Sequence, residues 1–372
     1  MNERVYVMDR KRQYKAILTG IDWRTFCVSW SKNNVPQLDF SVYINNSYGY
    51  TLLTNENIVE YRGQQYVIKT YNPNYSGGID TITITAIHVG AECQYIYQPN
   101  KKAGNNSWNI SDAMHWLFDN NNLGFTWEIK GNFGNCTLQD FGACNAKSGL
   151  STIKSSWNAE VVFNNRHIIV MDENTYLHKI NHTIRYQHDT ADIQLQGDST
   201  GLVNKIYCTS TQDDKGNWKN FQPFWSYNQD SINRWGEHCG DAMSSDVIAT
   251  QAGMDAEAKA HMVLDPQFAI TVTWYGSTIP DFGEQWYLEI LPMDLKLWVE
   301  VTGYKIYPFA PSQNGEIDLD SLKPNILNIN QSLQSNVSKA ISAAQNANGT
   351  TNVVNVGVAT IDAGKSEISY DG

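Results

Sequence analysis

The sequence lacks long apolar runs. Stretches such as Val161–Phe163 and Ile168–Met171 fall far short of the roughly 20 residues that a bilayer helix needs, so no membrane insertion is expected of this segment. Basic residues are few and dispersed. Lys and Arg number 27 against 38 Asp and Glu, a formal charge of −11, and the one basic cluster is Arg10-Lys11-Arg12. Sequence-independent nucleic-acid binding draws on clustered positive charge, so this composition argues against it. Six cysteines (Cys27, Cys93, Cys136, Cys144, Cys208 and Cys239) include no Cys-x-x-Cys pair. That argues against a zinc site or a disulfide framework and for reduced thiols. The N-terminus runs from Met1-Asn2-Glu3-Arg4 straight into strand-like sequence without the apolar core of a secretion signal, so synthesis and first folding are expected in a cytosol.

Aromatic residues are abundant. The chain has 12 Trp, 20 Tyr and 12 Phe, many alternating with Thr, Asn, Gln and Ser, a mixture that favours sheet. With 372 residues, 41% apolar and 17% charged, a folded protein of two or three compact units is expected.

Period-two alternation dominates the first 90 residues. Within Ile79–Ile87 it is clearest, Ile82, Ile84 and Ala86 alternating with Thr81, Thr83 and Thr85. With Asn57–Tyr61, a turn at Arg62-Gly63 and Gln65–Tyr71, this predicts a three-stranded meander. Between about 105 and 195 the pattern becomes mixed. A helix capped by Ser111 or Asp112 buries Ala113, Met114, Leu117 and Phe118, and a second spans Ser148–Trp157. A hairpin follows, turning at Asn164-Asn165. Alternation returns from Ile193 and is interrupted by a proline-free, alanine-rich run, Asp246–Leu264, read as a helix. It resumes in Ala269–Tyr275, Trp286–Leu291 and Leu295–Tyr307. After Pro311 the apolar residues Leu319, Leu322, Ile326, Ile329, Leu333, Val337 and Ile341 recur three or four apart. This is the narrow stripe of a helix that oligomerises as a stalk from about Asp318. A helix packed back on its own domain is the alternative, since Asn325, Asn328 and Asn330 weaken helix propensity.

Motifs with chemical meaning are sparse. Gly197-Asp198-Ser199-Thr200-Gly201 has the form of a nucleophile elbow, but that motif needs a helix after the serine and Leu202–Thr209 reads as a strand. His178 and His182 are four apart, yet Lys179 stands where a metalloprotease motif needs Glu, and His188 adds no acidic ligand. Asp213–Asn217 lacks the alternating oxygen ligands of a calcium loop and reads as a hairpin turn. Cys144 or Cys239 could pair with a histidine, with no local signature for it. No catalytic, metal or cofactor residue is therefore assigned, and no cofactor is expected. Exposed aromatics could stack on sugars, although strand packing explains most of them first.

The order of units resembles the baseplate hub proteins of phage tails, and more closely the N-terminal part of the tail-associated lysin, or prophage tail endopeptidase, family of long-tailed phages of Gram-positive bacteria. The match is carried by Glu60–Lys69, by Thr85-Ala86-Ile87-His88 with Glu92, by Leu150–Val170, and by Ile184-Arg185-Tyr186 with Asp198–Lys205. It is also carried by Ser231-Ile232-Asn233-Arg234-Trp235-Gly236-Glu237, which is similar to an S-I-x-x-(aromatic)-G element, and by the helix ending at Pro266. The loop Glu237-His238-Cys239-Gly240 departs from the family's charged run. The resemblance spans about residues 1 to 315. It implies an α+β, mainly β fold with two β-barrel-like domains, 1–95 and 196–230 with 266–315. An α+β domain over 96–195, a helical insertion over 231–265 and a partly helical stalk or linker over 316–372 complete it. It further implies a structural tail-tip protein, assembled in the host cytoplasm and carried in the virion. There it would form a homotrimeric ring that caps the tail tube, docks on the distal tail protein ring, meets the tape measure protein and carries receptor-binding proteins. Any wall-degrading activity is expected in a C-terminal extension, so no catalysis is expected of this chain. The alternatives are a peptidoglycan-degrading tail endopeptidase and a host-carbohydrate-binding module.

Overall fold

The computed structural model describes residues 4–321 except 77–78, 120, 191, 247, 294 and 311. Strand accounts for 50% and helix for 18%, which makes the fold mainly β. The chain divides into two compact units. The first comprises residues 1–194 with Ile270–Leu291 and Lys296–Asp320, and the second comprises Leu195–Ala269 with Pro292–Leu295.

Unit one begins with β1 (Tyr6–Met8), β2 (Lys15–Ile17), β3 (Ile21–Ser31) and β4 (Gln37–Tyr43). A single helical turn, α1 (Tyr48–Thr51), leads to β5 (Ile58–Tyr61), β6 (Gln64–Ser76) and β7 (Ile79–His88). The last three strands are the expected meander. Arg62 and Gly63 both take positive φ, 50° and 75°, the backbone that a two-residue hairpin needs to match strand twist. Along β7, Ile82, Ile84 and Ala86 are buried while Thr81, Thr83 and Thr85 face outward or to the rim.

The chain continues through a 3₁₀ helix, Val89–Tyr95, into β8 (Tyr97–Trp108), α2 (Ile110–Phe118), β9 (Thr126–Lys130), β10 (Cys136–Asn145) and α3 (Ala146–Trp157). β11 (Glu160–Asn164) and β12 (His167–Met171) follow. The α2 cap is Asn109 rather than Ser111 or Asp112, because its Oδ1 accepts from Asp112 N at 2.8 Å and its amide donates to the Asp112 carboxylate at 2.7 Å. Helix α3 starts two residues before the predicted Ser148, capped by Asn145, and ends on Asn158 in the left-handed region. Met114, Leu117 and Phe118 of α2 pack with Leu150, Ile153 and Trp157 of α3 in one core. The hairpin turn falls on Asn165-Arg166, one residue later than predicted, with Asn164 opposite His167.

A short helix, α4 (Glu173–Tyr176), precedes β13 (His178–Arg185). β14 (Ile193–Asp198) then leads into unit two, which is built on β15 (Lys205–Ser210), β16 (Phe224–Tyr227), α5 (Gln229–Trp235), β17 (Met243–Ser245) and α6 (Gln251–Ala260). Ile206 and Cys208 of β15 pack with Phe221 and with Met254 and Ala258 of α6. The predicted Asp246–Leu264 helix is thus shortened at both ends, since Thr250 Oγ1 accepts from Gly253 N and starts it. Asn204 is wholly buried and hydrogen-bonds to α5 and its flanking residues. Its amide donates to Ser231 Oγ (3.2 Å) and Gly236 O (2.8 Å), its Oδ1 accepts from His238 N (2.8 Å), and its carbonyl accepts from Asn228 N (2.9 Å). Ser231 Oγ in turn donates to Leu264 O at 2.6 Å.

The chain returns to unit one through β18 (Gln267–Trp274), β19 (Glu284–Ile290), β20 (Leu295–Ile306) and β21 (Gly315–Ser321). Here the expected barrel-like segments do not close into barrels. β20 pairs antiparallel with β3, placing Gly303 opposite Ser31 and Ile306 opposite Val28. Early and late strands therefore share one sheet, which contains the run β18-β21-β20-β3-β4-β7-β6-β5-β1-β2, and no closed barrel forms among the described residues. The parallel pair β13–β19 joins that sheet through β20. The expected helix start near Asp318 is also corrected. Ile317 and Leu319 are buried and alternate with exposed Glu316, Asp318 and Asp320, a strand period that runs through Ser321. Leu322, Ile326, Ile329, Leu333, Val337 and Ile341 lie outside the described residues.

Three outcomes follow from this packing. A Cβ on Gly90 would stand 2.6 Å from Phe163 Cγ, so Gly90→Ala is expected to cost about 1–3 kcal/mol in denaturant unfolding. Asn204→Ala removes the side-chain hydrogen bonds to Ser231, Gly236 and His238 and is expected to cost about 2 kcal/mol, with hydrogen exchange rising across unit two before unit one. His88 is 1% exposed, and burial pushes its pKa down from 6.5 to about 4. The unfolded chain then binds the extra proton between those values. The stabilisation is complete above about pH 6.5 and lost as pH falls toward 4, up to about 3 kcal/mol. Unfolding measured across that window should show a smaller loss in His88→Asn than in the wild type.

Candidate functional site

The chemical motifs do not converge. Ser199 sits on an exposed turn between β14 and β15, closed by Thr200 N and Oγ1 donating to Asp198 Oδ1 at 2.8 and 2.6 Å, and no helix follows. His178 and His182 lie on strand β13 rather than on a helix. The His182 ring packs 4.2 Å from Trp286 and 5.4 Å from Trp274, and burial lowers its pKa. His188 faces Asp189 at 2.7 Å. Asp213 Oδ1 accepts from Lys215 N and Asn217 N and shapes the expected hairpin turn, closed by a Gln212–Trp218 bridge. Cys144 is half-buried, and burial pushes its thiol pKa up, against thiolate formation. Cys239 is exposed and donates to Glu237 at 3.6 Å. Among the described residues, no three His, Cys, Asp or Glu side chains form a metal-ligand set.

What does converge is a set of part-buried polar joints in unit one, centred on the buried Glu300, Glu92 and His88. Lys32, just past β3, places its Nζ 2.6 Å from Glu300 of β20 and 3.2 Å from Glu160 of β11. Lys154 of α3 reaches Glu160 at 2.6 Å and also bonds Asn33. Burial opposes the Lys32 charge, but Glu300 and Glu160 outweigh it and the pKa is raised. The Glu300 carboxyl is pushed up by burial while Lys32 pulls it down. A second joint surrounds Glu92, 2% exposed, with Arg10 at 2.7 Å, Arg166 at 2.9 Å and Lys69 at 3.9 Å.

The third joint clasps two hairpin turns. Gln64 donates to Asn164 Oδ1 (3.0 Å), Asn165 N donates to Gln64 Oε1 (3.0 Å), and Asn165 Oδ1 accepts from Gln65 N (2.8 Å). His88 completes it. Its Nδ1 accepts from Gly90 N at 3.1 Å, so the neutral ring carries its proton on Nε2 and donates to Gln64 Oε1 at 3.0 Å. Beside these joints an open cleft of about 980 Å³ is lined by amide, hydroxyl and apolar groups, among them Trp30, Asn34, Val35, Gln94, Lys154 and Phe163.

This arrangement fixes β-segments and an α+β segment against each other; it places no nucleophile beside a base. Sequence reading missed Lys32, Glu160 and Glu300, whose partners lie up to 268 residues away. Of the stalk residues, the structure places only Leu319, in the sheet interior. The Ser231–Gly236 element does have a structural logic. Ser231 bridges Asn204 and Leu264, and Gly236 ends α5 at φ 83°, where a side chain would be strained.

Three family models match the chain in order. They are the prophage endopeptidase tail N-terminal domain over residues 5–88, the prophage endopeptidase tail domain over 96–170 and the prophage endopeptidase tail over 178–330. Comparison with the curated proteins yields no match. Among solved structures, the chain is similar to prophage tail protein gp18 from Listeria monocytogenes, with 23% identity and a TM-score of 0.67 over 90% of this chain and 99% of that one. The tail protein from Neisseria meningitidis matches at 10% identity and a TM-score of 0.61, over 88% and 98%. The 43 kDa tail protein of prophage MuSo2 from Shewanella oneidensis matches at 9% and 0.62, over 87% and 99%. At such identities the likeness is one of fold, shared over 87–90% of this chain. Matched domain by domain in sequence order, the chain belongs to the prophage endopeptidase tail family.

Proposed function

We propose that the chain is a structural hub at the phage tail tip, a homotrimeric ring that caps the tail tube. In this reading it docks on the distal tail protein ring, releases the tape measure protein on adsorption and carries receptor-binding or wall-degrading modules beyond residue 321. The observation that carries it is the fold match to prophage tail proteins, combined with a functional site made of joints rather than of reacting groups. Ion pairs shared by several segments resist relative movement, because removing the cation strands the buried carboxylate of Glu300 or Glu92. A plate that seals a tube under load needs that property. Residues 1–95 and the later β-segment, 196–230 with 266–315, would supply two equivalent docking faces per chain, six per trimer. Residues 322–341 would begin the stalk.

The peptidoglycan-cleaving reading has the family's name in its favour, but none of the described residues assembles a nucleophile, base and orienting group. Light scattering during size exclusion tests the hub, using the full chain and a chain ended after Ser321, which keeps β21 intact. Three chains in both forms are expected, with no loss of turbidity when the protein is added to host cell walls. Trimers lost on truncation would move the contacts into the stalk. A monomer that stays monomeric with the distal tail protein present would overturn the reading.

A further inference from the structure

Charge is distributed unevenly along the chain. Residues 1–194 carry 17 basic and 17 acidic side chains, whereas residues 195–320 carry 7 basic and 18 acidic, so the whole excess of −11 lies in the second stretch. Within unit one, the two signs stand on different strands, basic at the β2 edge and acidic on the inner strand β21. The β1–β2 turn exposes Arg10, Lys11 and Arg12 beside the β2 edge. Asp9 holds that turn in shape, its carboxylate accepting from Lys11 N (3.1 Å) and Tyr14 N (2.6 Å) and its carbonyl from Arg12 N (2.9 Å). Arg10 is engaged by Glu92 and Glu56, while Arg12 donates to the neutral Gln65 at 2.8 Å. Burial, then the charges of Arg166 and Arg10, hold the Arg12 guanidinium below its ordinary pKa. Arg10, Arg12, Lys69 and Arg166 thus face two carboxylates, Glu56 and Glu92, and positive charge is left over.

Between β18 and β20, β21 turns Glu316, Asp318 and Asp320 outward at every second residue, while Ile317 and Leu319 anchor it in the sheet. Thr271 donates to Asp318 at 3.0 Å. A closed ring of identical chains needs a head-to-tail contact between two different, complementary patches on each chain. For a chain of −11, like-charge repulsion opposes assembly unless an acidic surface meets a basic one.

We infer that the Arg10–Arg12 turn of one copy docks on the Glu316–Asp318–Asp320 face of a second copy, head to tail. The inference rests on the ring reading above and names its interface. The alternating backbone makes the acidic row flat and the Asp9-braced turn makes the basic one rigid, so little ordering entropy is lost on contact.

Sedimentation of the full chain at low and high salt tests it, with Lys11→Glu/Arg12→Glu, Glu316→Lys/Asp318→Lys and all four together. The wild type is expected to associate more weakly at high salt. Each double reversal should weaken association at low salt by about tenfold or more, and the fourfold reversal should restore most of it. The single Glu316→Lys, at an exposed position, replaces its double should that fail to show a native melting transition. Doubles that associate like the wild type, or a fourfold variant no better than the doubles, overturn the interface and leave the ring standing. A wild type that stays monomeric, with or without the distal tail protein, overturns the ring and the interface together.

Discussion

Lys32 holds the first unit to its topology. Its ammonium stands between Glu300 and Glu160, so a single charge touches the sheet's early strand, its late strand and the start of the β11–β12 hairpin. A pair this buried adds little net stability over an apolar contact of the same shape. Its value is exclusion: any register of β20 on β3 other than the observed one leaves a buried carboxylate without its lysine. The backbone agrees, since Lys32 N donates to Thr302 O next to the same site. The Glu92 cluster and the His88–Gln64–Asn165 clasp apply the same logic at two more points, so that turns, usually the loosest parts of a sheet, become joints.

Much of the local structure was legible in the sequence. The Arg62-Gly63 turn, the alternation of β7 and the stripe of α2 each answer to a rule that acts over fewer than ten residues, and each formed where that rule placed it. The long ribbon of β8 and β10 was not legible. Gln98, Asn100, Lys101, Lys102, Asn105 and Asn106 give β8 no apolar alternation, because most of its side chains face solvent and its order comes from the partner strand. Pairing of β20 with β3 was equally invisible, since an alternating pattern says that a strand has a buried face and nothing about whose strand lies beside it. Leu319 shows the limit from the other side. Its spacing to Leu322 suited a helix and its alternation with Asp318 and Asp320 suited a strand, and the chance to bury Ile317 and Leu319 against the sheet decided between them.

The site followed the same division. Short motifs could be set aside from sequence because a helix, a glutamate or a ligand series was missing at a fixed offset. The joints that organise the molecule could not be found that way, as Lys32, Arg166 and Asn165 look like ordinary surface residues until their partners are in place. The Ser231–Gly236 element lay between these cases. It was visible as a pattern, and only Asn204, buried 27 residues upstream, explains why a serine and a glycine stand there.

The β3–β20 pairing has a consequence during synthesis. One edge of β3, at Val28–Ser31, has no neighbour until Leu295–Ile306 has left the ribosome. At about 5–20 residues per second that delay lasts roughly ten seconds to a minute. Throughout it a twisted apolar strand offers its free amides and carbonyls to any other nascent chain on the same message. Crowded polysomes would make that exposure most dangerous, and the yield of folded chain would then depend on chaperone supply as much as on gene dosage.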